Sequence, residues 1–327
     1  MIKSFKSSST RKISPYTLNY ALTDAECENG LIKRVTILDL ENCCYKKISA
    51  PVYADCTGDG TLGAISGADY EMTTSGHMEL SNFWCIDDSG KEEKFPHCEW
   101  AMNLGDADFP GRIRANGLDE EKEKANAKFF GCWRWGAGYE HNPIEKAEYA
   151  RDTNFRAMYG AWDAIKNHDG DYKNYRIAFS SHIAGKRESR RLLGPLVITK
   201  NDLIEGKSFP DAIIGIDWGL DLHTPNRKYY KSFVEGDAFL CSDGLEKFKT
   251  PYYLPYRCLY SRNVHNLFMA GRCISVTHDA LGPVRVMRTC GIMGEVIGKA
   301  ATLCKRYGIL PEDIYTDKLD ELKSVFI

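Results

Sequence analysis

One stretch limits what this chain can fold into more than any other. In APVYADCTGDGTLGAISGADY, residues 50–70, an apolar run stops at Gly58, Asp59 and Gly60, and a row of small residues follows. Such a run reads as a buried strand that ends in a tight turn. Glycine at the turn supplies the left-handed backbone that other residues avoid, and it lets neighbouring groups come close. In open α/β sheets ligands gather at the carboxyl ends of strands, and helix N-termini attract anions. The question is therefore what lies against the turn at Gly58.

Two later segments repeat the theme. NLFMAGR, residues 266–272, is a second buried strand closing on Gly271 and Arg272, and a helix starts near Thr289. That helix carries Gly291, Gly294 and Gly298 along one side and Met293, Val296, Ile297, Ala300, Ala301 and Cys304 on an apolar stripe. Lys305 and Arg306 fall in its last turn and Gly308 at its stop, as the helix dipole and a left-handed cap favour. Upstream, two β-type runs flank Asn29-Gly30, a hairpin signal. Residues 145–168 carry Ala147, Ala150, Phe155, Met158, Trp162 and Ile165 at three- and four-residue steps, which predicts an amphipathic helix. The fold class expected is α/β, or α+β overall.

Composition removes several function classes. The formal charge of -2 over 327 residues favours neither nucleic acid nor an acidic tail. No apolar run reaches the roughly 18 residues of a membrane span. The first residues, MIKSFKSSSTRKISPY, are basic and Ser-rich without the apolar core of a secretory signal. Twelve cysteines show no C-x-x-C spacing, which argues against zinc and for a reduced, cytoplasmic protein. Six tryptophans are spread through the middle of the chain and read as core packing rather than a sugar-stacking strip.

The segments ADCTGDGTLGAISGADY, GKRESRRLLG, YYLPYRCLYSRNVHNLFMAGRCISVTHDALGPVRVMRT and GIMGEVIGKAA together resemble the FAD-dependent oxidoreductases of the glutathione-reductase-like flavoprotein superfamily. The resemblance runs from about Tyr16 to about Tyr315, and the set it is most similar to is bacterial, found beside polysaccharide-degradation genes. It implies FAD as cofactor, with Thr57, Gly58 and Asp59 beside the adenosine and pyrophosphate. Gly271 and Arg272 would lie toward the ribityl chain, and the helix bearing Arg288, Gly291 and Gly294 would aim its positive end at the flavin. Pro283 and Cys273 depart from the threonine or serine and the asparagine that the family carries there.

Candidate catalytic residues follow. His278, in SVTHDALG, is positioned as a proton donor or acceptor, or as a structural hydrogen-bond partner. Arg285 and Arg288, three apart, would share a face of a helix start and hold a carboxylate or the flavin, or pair with acids. Around Glu188, Lys186, Arg187, Arg190 and Arg191 form a basic site; Arg187 and Arg190 are read as binding an anionic substrate or an FAD phosphate, and Lys186 as solvated. His182 and His223 read as packing or loop residues.

One expected feature is missing. These flavoproteins open with a strand, then G-x-G-x-x-G, then a helix that takes the pyrophosphate. GDGTLG, residues 58–63, fits the expression formally but follows the wrong strand. Lacking a central strand costs about 1–3 kcal/mol per buried unpaired backbone group, against a net stability of about 5–15 kcal/mol. The expectation is therefore an N-terminally truncated flavoprotein. Residues 1–74 and 251–315 would form an incomplete, Rossmann-like FAD-binding domain, and 75–250 an inserted mixed α/β substrate domain. Its partners would be a small-molecule substrate and a chain supplying the missing βαβ segment, with no nucleic acid and no membrane. The competing readings are a non-catalytic remnant or subunit and, last, a sugar-binding module or polysaccharide lyase.

Overall fold

The computed structural model describes residues 18–112, 121, 134–226, 238–324 and 326. The basic N-terminal lead-in and Trp133 lie outside the described residues. Helices and strands are mixed along the chain, in keeping with an α/β class.

Asn29 and Gly30 both take positive φ, 52° and 71°, and join the strands Tyr20–Glu28 and Leu31–Asp39 into the expected hairpin. A third strand, Cys44–Ile48, adds to its edge with every residue exposed. Fully exposed strands carry no buried alternation, so this one leaves no apolar signature in the sequence. The hairpin is pinned from below by Asn266, whose buried side chain accepts from Ile32 N at 2.9 Å and donates to Ile32 O at 2.9 Å.

The two glycine-ended strands meet. Tyr53–Asp55 and Leu267–Met269 pair in parallel, with Leu267 opposite Tyr53 and Met269 opposite Asp55. Both therefore point their carboxyl ends, and so Gly58 and Gly271, the same way. The long helix runs Met287–Tyr307 and stops at Gly308, φ 67°, with Lys305 and Arg306 in its last turn. Its stripe of Met293, Val296, Ile297, Ala300 and Cys304 is buried in a core shared with Leu267, Phe268 and Met269. Leu192, Ile198, Ile214, Ile216 and Leu220 belong to that same core.

A second core is built around Trp84, Trp135 and Trp162. Trp84 meets Trp135 edge-on at 5.3 Å between ring centres and Trp162 at 6.5 Å, contacts of the kind that stabilise aromatic cores. These three are packing residues, whereas Trp100 and Trp218 stay about half exposed. The amphipathic segment is helical over Ala147–Asp163 and widens into a π-turn, Ala164–Asp169, that ends at Gly170. Its Ala150, Met158, Trp162 and Ile165 are buried. Among the described residues no helix is long and apolar enough to cross a membrane.

Candidate functional site

The turn after Tyr53–Asp55 is built by its own side chains. Asp55, fully buried, accepts from Thr57 N at 3.0 Å, Thr57 Oγ1 at 2.7 Å and Gly63 N at 2.9 Å. Thr57 Oγ1 in turn accepts from Thr61 N at 3.0 Å, starting the short Thr61–Ile65 helix. Gly58 has φ 75°, and a Cβ there would lie 3.1 Å from the Arg272 guanidinium. Arg272 is thus what sits against the turn. It donates to Gly58 O at 2.6 Å, Ser189 Oγ at 2.7 Å and Asp59 Oδ1 at 2.8 Å. Asp59 also pairs with Lys186. Burial works to raise the Asp59 carboxyl, but Lys186, Arg272 and Ser189 outweigh it and hold it below the usual range. Thr57, Asp59 and Arg272 thus all help to build the wall.

Beside this wall lies a buried charge network. Glu79, fully buried, receives Arg187 Nε at 2.6 Å and faces His223 Nδ1 at 2.8 Å, both at Oε1. His223 Nε2 faces Asp221 Oδ1 at 3.3 Å, and Arg285 Nη2 donates to Asp221 O at 3.0 Å and reaches Asp221 Oδ2 at 3.4 Å. Burial disfavours a charged His223, yet the hydrogen bonds with Asp221 and Glu79 prevail and hold its pKa above the usual value. The hydrogen bond from His223 lowers Asp221, burial opposing it and the charges of His223 and Arg285 assisting. For Arg285, burial and the like charge of Arg187 bring the pKa down from its usual value. Its Nε, together with Glu79 Oε2 and Tyr139 Oη, is buried without a hydrogen-bond partner among the described residues.

Glu79, His223 and Cys241 are close enough for one metal ion to be shared among them. However, both ring nitrogens of His223 face carboxylates and Arg187 stands against Glu79, so the cluster balances charge within itself.

A third group is organised by Glu188, which is fully buried. His278 Nδ1 lies 2.8 Å from Glu188 Oε2, and Arg191 Nη1 donates to Oε1 at 2.6 Å. Burial raises the Glu188 carboxyl, but the hydrogen bond from His278 and the charges of His278 and Arg191 hold it below the usual range. His278 is about one-third exposed, and its Nε2 meets no hydrogen-bond partner among the described residues.

The segment 185–191 ties the three groups together, because Lys186 reaches Asp59, Arg187 reaches Glu79 and Glu188 reaches His278. A cavity of about 190 Å³ opens beside the first two groups, lined by Ser81, Phe83, Lys186, Arg187, Arg272 and Arg285. The sequence candidates Arg187, Arg272 and Arg285 thus converge, and Lys186, read as solvated, joins them. Arg190 lies over the Tyr70 ring at 5.4 Å and reaches the Asp59 carbonyl at 3.4 Å. Arg285 and Arg288 do not share a helix face: Val286 is extended and the helix begins at Met287, so Arg285 turns to Asp221 while the exposed Arg288 pairs with Asp217. His182 is exposed beside Arg151.

Glu79, Asp221 and the network role of His223 were not read from the sequence. Asp221 and His223 are two apart on the Leu220–Pro225 strand, a spacing that puts both on one face. That was the one available signal. Tyr139 gave none.

The glycines after the second strand and on the long helix are open. Gly271, φ 95°, and Gly291 and Gly294 on the first turns of the long helix have nothing within 4 Å of where a Cβ would stand. The neighbouring Met287 is 91% exposed. Cys273 is instead buried against the carbonyls of Asp55 and Ala270, and Pro283 is buried with its carbonyl accepting from Thr289 Oγ1.

In comparison with known families, the model described as FAD dependent oxidoreductase matches residues 11–323. No curated protein and no solved structure matches the chain.

Proposed function

The chain belongs to the family of FAD-dependent oxidoreductases, and we propose that it oxidises or reduces a small, carbohydrate-derived organic compound in the bacterial cytoplasm. When bound, FAD supplies the two-electron chemistry. Gly271, Gly291 and Gly294 would hold it, because their open positions leave room for a flat ring system and the helix that carries Gly291 and Gly294 begins at Met287 with its positive end. The Tyr53–Asp55 and Leu267–Met269 pair would be part of a Rossmann-like sheet of the glutathione-reductase-like kind. No disulfide is formed among the described cysteines, which supports a reducing compartment.

The observation that carries the reading is His278. Its Nδ1 is fixed by Glu188, itself held by Arg191, and its Nε2 is left to exchange a proton with a substrate. A buried carboxylate that orients an imidazole leaves the other ring nitrogen placed for proton transfer. His278→Asn is expected to keep the flavin band at about 450 nm but to slow bleaching by an active sugar or sugar acid by about 100-fold or more. Purified chain that takes up no flavin would sink the proposal, as would a variant that reduces it at the wild-type rate.

A second reading has one observation in its favour. Among the described residues the strand Tyr53–Asp55 pairs on one side only, with Leu267–Met269. A partner chain or further segment that adds a strand there would complete the sheet, and without it the chain would be a non-catalytic subunit. Titrating FAD into the chain separates the two readings.

A further inference from the structure

We infer that the cavity between Lys186, Arg187, Arg272 and Arg285 is a subsite for a carboxylate group of a small organic acid. The identification of that acid as the substrate rests on the oxidoreductase reading above; the carboxylate site itself does not.

Charge is the first reason. Four cationic side chains line the cavity, and three carboxylates, Asp59, Glu79 and Asp221, answer them. One positive charge is left over, and a second when His223 is protonated. Glu188 is nearby but already engaged by Arg191 and His278. Geometry is the second reason. The Arg285 side chain, which lines the cavity, is 10% exposed. Among the described residues Arg285 gives its hydrogen bonds to Asp221 through Nη2 alone, and an anion in the cavity that Arg285 lines would take up more of this buried cation's donors. Size is the third. At about 190 Å³ the space lies below the roughly 300–1,000 Å³ of drug-sized ligand sites, so it takes a small acid rather than a dinucleotide.

Planar guanidinium groups prefer carboxylate or phosphate oxygens in paired hydrogen bonds. Because the cavity wall also holds Phe83, an organic acid with a short carbon chain suits it.

The test is calorimetric titration of the full chain with malonate, its neutral counterpart malonamide, and inorganic phosphate, each with and without FAD. Malonate is expected to bind saturably and malonamide not at all. Arg285→Gln should weaken malonate about tenfold or more, and Lys186→Gln, at the more exposed rim, should weaken it in the same direction. Arg306→Gln, on the far helix end beside Glu321, should leave binding unchanged. If Arg285→Gln does not fold, Lys186→Gln decides the matter. Equal binding of malonamide, unaltered binding in the foldable variants, or tighter binding of phosphate than malonate would each overturn the inference. So would competition between FAD and malonate, which would assign the cavity to the cofactor's phosphates. Malonate binding in a chain that takes no FAD would instead defeat the oxidoreductase reading alone.

Discussion

Replacing Glu188 by Gln removes one negative charge from a fully buried position while keeping nearly the same shape. In the wild type, Glu188 accepts from Arg191 Nη1 at 2.6 Å, from Met78 N at 3.3 Å and faces His278 Nδ1 at 2.8 Å. Arg191 is itself 4% exposed in its side chain, so the variant leaves a buried guanidinium with only the exposed Glu71, 4.0 Å away, as counter-ion. Breaking one partner of a buried pair costs about 3–5 kcal/mol, a large share of a net stability of about 5–15 kcal/mol. Urea unfolding at neutral pH should therefore show a loss of that order. The Glu188 pKa is lowered in the folded state, so its contribution is present above the unfolded carboxyl value of 4.5 and is lost as pH falls through the folded value. The gap between wild type and variant should accordingly close in acid. Arg191→Met added to Glu188→Gln should restore part of the loss, because removing both charges removes the uncompensated one. A gap below about 1 kcal/mol at neutral pH, or one that does not narrow in acid, would refute the reasoning.

Other outcomes follow from the same contacts. Gly58→Ala places a Cβ at φ 75° and 3.1 Å from the Arg272 guanidinium; the backbone term alone costs about 1–2 kcal/mol, and thermal or urea unfolding should register at least that. For His223→Gln the sign is opposite to that of Glu188: a raised pKa gives stability that is complete below the unfolded value of about 6.5 and is lost as pH rises through the folded value. The stability gap for that variant should be widest on the acid side and narrow toward alkaline pH. Asn266→Leu leaves Ile32 N and Ile32 O without their side-chain partner, and a loss of about 1–3 kcal/mol is expected, accompanied by faster amide exchange in the hairpin.

How much of this was legible in the sequence depended on how local each cause was. The Asn29-Gly30 hairpin, the helix capped by Gly308, the buried strands at 53–55 and 267–269 and the packing role of Trp162 all follow from turn chemistry and apolar period, which act over a few residues. The fully exposed strand Cys44–Ile48 had no such signal. Arg285 and Arg288 were placed on one helix face by their spacing, but an extended Val286 separates them, because the helix starts one residue later.

The sequence by itself determined that two strands end in glycine, that a dipole-capped helix follows the second, and that cations crowd around Glu188. Only the tertiary structure decided which groups those features serve. Asp59 and Arg272 are 213 residues apart, as are the ends of no local motif, yet they meet across the Gly58 turn at 2.8 Å. Glu79 and His223 lie 144 residues apart and join in a buried pair. Such pairs form because a charge removed from water must find an opposite charge or a hydrogen bond wherever the packed chain brings one. That requirement is met in space, and spacing along the chain does not record it.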